Sequence, residues 1–189
     1  VNRLDYRNLD QFKKDIYFST KLEEFWFKLY LKQICSRYDA IEYDNTGTDN
    51  SGTYQRVATK AADYTIHLTK SGATASIKLD IKWAPTAGKA TFKVKNLEHY
   101  IKDDIKILLF YNIGDKRLNK PKDHNIKTHI ERITENLENI RYSIILPPQM
   151  QQMLNTYKHK ISYYMGNKMC IEVPSEDFGK YFKGNVIKI

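Results

Sequence analysis

The sequence predicts an α/β domain in which a mixed β-sheet is flanked by helices, and three observations carry that reading. Segments of helical and of strand periodicity alternate along the whole chain. Ile105-Lys106-Ile107-Leu108-Leu109-Phe110-Tyr111 is a nearly continuous apolar run of strand length, the pattern of a strand covered on both faces. A helical stretch separates it from an earlier alternating strand, as a crossover between parallel strands requires. With 189 residues the chain fits a single domain, 1–189, with enough core to stand without disulfides or a structural metal.

The elements follow in order. From about Leu9 to Ser36 the pattern is helical, with Ser19 or Thr20 able to cap a second helix starting near Lys21. At 100° per residue Trp26, Phe27, Tyr30 and Ile34 share an apolar face, Lys28 and Lys32 lie opposite, and Glu23 falls inside the apolar arc while Glu24 does not. Tyr38 to Tyr43 reads as a short strand, and Asp44 to Gly52 as a loop dense in turn formers. Tyr64 to Leu68 and Ala75 to Trp83 both alternate around the turn Lys70-Ser71-Gly72, which makes a hairpin. In its second strand Ile77, Leu79, Ile81 and Trp83 share one face, and Ser76, Lys78, Asp80 and Lys82 the other.

Beyond the turn formers Pro85 to Lys89, a helix is expected over Val94 to Lys102, then the buried strand from Ile105. Gly114 to Asn125 is a basic loop, in which Lys116, Arg117, Lys120 and Lys122 could clamp a phosphate backbone. A helix from Ile126 to about Asn139, a strand from Tyr142 to Leu146, a helix from Pro148 to Tyr157, a strand from Met169 to Val173 and a short helix from Ser175 to Phe182 complete the chain.

Thirty-one Lys and Arg against 22 Asp and Glu leave +9, a balance that points to a polyanionic partner. Nucleic acid leads that list, DNA before RNA. Cys35 and Cys170 have no zinc-site or disulfide spacing, which fits a reducing, cytoplasmic setting. No apolar run is long enough to span a bilayer, and the polar start lacks a signal-peptide core, so no membrane partner is expected. Opening on Val1, the chain could be trimmed or cut from a larger protein. Whether it is a monomer or a homodimer is open, and richness in Lys, Asn, Ile and Tyr is compatible with an AT-rich phage or bacterial genome.

Hydrolysis of a phosphodiester needs an activated water and positive charge against the transition state, which hard cations and a lysine supply. Mg²⁺ takes oxygen ligands, and one or two carboxylates with a backbone carbonyl leave it room for water and phosphate. Asp63 and Asp80 fit that description, with Lys82 two residues on along the same strand face.

An acid at 63 followed by Asp80-Ile81-Lys82 at the end of a strand resembles the PD-(D/E)XK nuclease superfamily, and the order of elements over residues 21–111 is similar as well. The resemblance implies a restriction-endonuclease-like fold and a Mg²⁺- or Mn²⁺-dependent nuclease, with residues 112–189 completing the sheet and holding substrate. It implies Asp63, Asp80 and the Ile81 carbonyl as metal ligands, Lys82 as the catalytic lysine, and a glutamate from the first helix. Of the two available, Glu24 can pair with Lys28 at i+4, whereas Glu23 has Phe27 there and lies in the apolar arc, where a carboxylate needs a partner. Glu23 is therefore the candidate. Asn96-Leu97-Glu98-His99-Tyr100 is similar to the Gln-x-x-x-Tyr helix of the RecB-like branch, which adds Asn96 and Tyr100 near the site. The sequence departs from the family pattern with Ala62 for Pro, Asp80 for the commoner Glu, and Asn96 for Gln. A non-catalytic nucleic-acid-binding domain, or a protein-interaction domain retaining the fold, stands as the alternative.

Overall fold

The computed structural model describes residues 9–46, 61–164 and 168–189. Helix α1 (Leu9–Ile34) is continuous, so the expected break at Ser19 and Thr20 does not occur. The Ser-Thr pair costs the helix only tenths of a kcal/mol per residue. Phe18, Trp26, Phe27, Tyr30 and Ile34 all bury side chains along its length, which outweighs that cost. A single 3₁₀ turn, Cys35–Arg37, then leads to the sheet.

Six strands form the main sheet in the order β1-β2-β3-β5-β6-β9: β1 (Ala40–Asn45), β2 (Tyr64–Lys70), β3 (Ala73–Ala84), β5 (Ile105–Asn112), β6 (Ile140–Ile145) and β9 (Asn185–Val186). The β2–β3 hairpin closes on Ser71 and Gly72, both at positive φ (51° and 79°), as a two-residue turn of the primed kind requires. Pairs are antiparallel except β3 with β5, which run parallel. The connection between those two carries β4 (Lys89–Lys93) and helix α2 (Val94–Asp103). Asp104, in the left-handed conformation at φ 53°, ends α2 and turns the chain into β5.

Alternation along the central strands divides the core in two. Leu79, Ile81, Leu108 and Phe110 face α1, together with Ile77 and Trp83 at the margin. Trp26 stacks on Phe110 at 4.4 Å between ring centroids, and Phe27 on Tyr64 at 3.8 Å. Ile105, Ile107, Leu109 and Tyr111 face the other way, toward α2, α4 (Pro147–Tyr157) and α5 (Phe178–Tyr181). Asp80 and Lys82 lie on this second side of β3.

A second sheet, ordered β4-β8-β7, closes the α2 side, with β8 (Lys168–Pro174) central and β7 (Ser162–Tyr164) at its edge. The turn expected over Pro85 to Lys89 thus hands over to a strand, and β7 and β9 were not expected at all. All three are short; β4 and β9 pair with strands distant in sequence, and three-residue β7 pairs locally with β8. Helix α3 (Ile126–Thr134) stops earlier than its periodicity suggested, and Leu137–Asn139 is a separate 3₁₀ turn. Residues 47–52 of the Asp44-to-Gly52 loop lie outside the described residues.

Candidate active site

β3 outruns its neighbour. The last β2–β3 pair at this end is Tyr64 with Leu79, and continuing the register places Asp63 opposite Asp80. From there to Ala84, β3 keeps only β5 as a strand partner. The Ile81 N–H donates instead to Asp63 Oδ2 at 2.7 Å, so a carboxylate completes the ladder where the strand has ended. Asp63 is itself held from β1: the Thr46 N–H donates to its carbonyl at 3.1 Å, and the Thr46 hydroxyl donates to the Ala62 carbonyl at 2.8 Å.

Asp80 is buried, 6% exposed, in the middle of the sheet, and its carboxylate forms an ion pair with the Lys82 ammonium. The same ammonium lies 3.4 Å from the Ile81 carbonyl. Burial works against the charged form of Lys82, but Asp80, Tyr100 and Asp63 more than offset it and hold the ammonium above the usual lysine range. The Tyr100 phenol hydrogen-bonds to Asp80, and its ring lies 5.9 Å from the Lys82 ammonium. Burial keeps that phenol protonated, against the pull of Lys82.

Lys82, Asn96 and Tyr100 line one pocket of about 230 Å³ between β3, β4 and α2. Asn96 and Tyr100 sit one helical turn apart, so α2 presents both to the same space. The sequence reading missed two more residues of this pocket, Thr91 and Lys93, because it had assigned β4 no structure. Their signal was the period-two alternation Lys89-Ala90-Thr91-Phe92-Lys93, in which Ala90 and Phe92 are buried and Lys89 and Thr91 exposed.

Glu24 is bound as its helix position implies, at 2.7 Å from Lys28 and 3.0 Å from Lys21. Glu23 is partly buried, and its charge acts on the Tyr64 phenol, which burial, Glu23, Glu24 and Asp63 together push up. Among the described residues no three His, Cys, Asp or Glu side chains gather into a metal-holding group. The donor set that the structure does assemble is two carboxylates and the Ile81 carbonyl, all oxygen. That fits a hard divalent cation which keeps its remaining positions for water and substrate.

No family model, curated protein or solved structure matches this chain. The basic loop lies elsewhere: Leu118 is buried in the α1-side core, Lys120 pairs with Asp15 of α1, and the Arg132 guanidinium donates to the Arg117 carbonyl at 3.2 Å. Lys116, Arg117, Lys120 and Lys122 are exposed along that loop and do not enter the pocket that holds Lys82.

Proposed function

We propose that the chain is a Mg²⁺- or Mn²⁺-dependent nuclease, a hydrolase cutting phosphodiester bonds of nucleic acid, with DNA as the expected substrate and an endonucleolytic mode. The observation that carries this reading is the pairing at the end of β2: Asp63 bound to the Ile81 N–H, with Asp80 and Lys82 ion-paired on the next strand, beside one pocket. A helix, an antiparallel hairpin, a crossover helix and a parallel strand surround it, an order that supports a restriction-endonuclease-like fold. No described helix is long and apolar enough to cross a membrane, and a cytoplasmic setting goes with the proposal.

Asp63, Asp80 and the Ile81 carbonyl would hold the cation, which when bound supplies a more acidic water and charge for the phosphate oxygens. Lys82, kept as an ammonium, orients the attacking water and steadies the negative charge that builds in the transition state. Tyr100 fixes Asp80 by hydrogen bond, and Asn96 faces the same space. Glu23 adds negative charge from α1 through its position beside Tyr64.

The test is cleavage of single- and double-stranded DNA and RNA with Mg²⁺, Mn²⁺ or EDTA. Lys82→Ala and Asp80→Ala are expected to lower the rate about 10²-fold or more, and EDTA to abolish it. Equal cleavage by all three proteins would sink the assignment. Binding without cleavage, unchanged by EDTA, would leave a nucleic-acid binder.

A further inference from the structure

The lysines around the pocket are not equally paired. Lys82 has Asp80, and Lys89 has Glu172. Lys93, half-buried at the end of β4, lines the same pocket as Lys82 and has no carboxylate within ion-pair distance among the described residues. Lys168 of β8, close enough to act on Lys93 electrostatically, has none either. Burial first, then Lys168 and Lys82, pull the Lys93 ammonium below the usual lysine range, and the opposing pull of Cys170 and Asp80 does not make up for them. A partly desolvated cation with two cationic neighbours is costly unless an anion comes to it.

Resting on the nuclease reading, we propose that Lys93, backed by Lys168, is a phosphate subsite that takes the substrate phosphate next to the one being cut. The phosphate would enter the pocket that Thr91 and Asn96 line together with Lys82 and Lys93. The substrate backbone would then run from Lys82 over the β4 edge of the smaller sheet, the side of the molecule away from α1 and the basic loop. Lys93 is a binding residue here, and the chemistry stays with Asp63, Asp80 and Lys82.

The experiment is competitive acetylation of the full chain, read residue by residue by mass spectrometry, in EDTA so that nothing is cut. The probes are inorganic phosphate and a short deoxyoligonucleotide, with Lys28 on α1 as the internal reference. Both probes are expected to slow labelling of Lys93 about fivefold or more and to leave Lys28 unchanged. In parallel, Lys93→Gln should weaken oligonucleotide binding about tenfold by fluorescence anisotropy, and Lys93→Arg should keep it. If the oligonucleotide is bound and cut by the wild type while Lys93 labels at its free rate, the subsite is overturned and the nuclease reading stands. If phosphate protects Lys93 but no nucleic acid is bound in EDTA or cut with Mg²⁺ or Mn²⁺, the nuclease reading falls and the substrate subsite falls with it, leaving a site for small anions. If neither probe protects Lys93 and Lys93→Gln behaves as wild type, the inference fails outright.

Discussion

At the scale of single residues the chain places charge where it is held and leaves neutral what it cannot solvate. His129 on α3 is 1% exposed, packs 5.4 Å from the Phe18 ring, and neither ring nitrogen has a hydrogen-bond partner among the described residues. Burial, with Arg132 nearby, lowers its pKa from 6.5 to about 4. The folded chain therefore keeps His129 neutral in a range where the unfolded chain protonates it. Stability from this group is full above about pH 6.5 and is lost as pH falls toward 4, by about 3 kcal/mol in all. The carboxylates held low by partners, Asp15, Glu24 and Asp177, act in a more acidic window, below their ordinary values. Denaturant melts at pH 7, 6 and 5 should show the decline, and His129→Phe should flatten it; an unchanged slope in that variant would assign the acid sensitivity elsewhere.

Elements are held by local rules where turns and caps decide, and by packing elsewhere. The β2–β3 hairpin sets the register that puts Asp63 opposite Asp80, and it turns on Gly72 at φ 79°. A Cβ added there meets nothing within 4 Å, so Gly72→Ala carries only the backbone cost of the left-handed region, about 1 kcal/mol. Thermal melting is the check, and because the strands keep their pairing, cleavage should be unchanged at temperatures well below the transition. At α3 a side-chain cap is present: Asn125 accepts from the Thr128 N–H at 3.1 Å. Helix α1 shows the opposite balance, since its Ser-Thr pair would begin a helix in isolation but lies inside one that packing carries through.

For the molecule as a whole, a charge of +9 makes any nucleic-acid affinity fall with salt. If about three phosphates are contacted, the association constant should drop about fortyfold between 50 and 200 mM salt. The exposed basic loop, tied to α1 through Lys120 and to Pro85 past the end of β3 through Leu118, does not line the Lys93 pocket, so the salt slope can tell which of them carries the backbone. Replacing Lys116 and Arg117 together by Gln should reduce the slope by about 1.8 if the loop holds two phosphates. A slope equal to that of the wild type would remove the loop from the interface and leave the α2 side as the path.

Much of this was legible in the chain itself, and for a physical reason. Period-two and helical patterns record which face an element buries, so the hairpin, α2, the doubly covered strand β5 and the apolar face of α1 could be read from residues alone. The same alternation put Asp80 and Lys82 on one face of β3. β7 and β9 are too short, at three and two residues, to show a period, and the five-residue alternation of β4 was passed over, so the Thr91 and Lys93 wall of the pocket was unseen too. Only the tertiary structure decided that Asp63 closes the ladder beyond the end of β2, that the basic loop packs toward α1, and that Glu23 stands beside Tyr64. Those outcomes depend on which strand ends first and which side of a sheet a loop returns to, quantities that no local pattern of residues encodes.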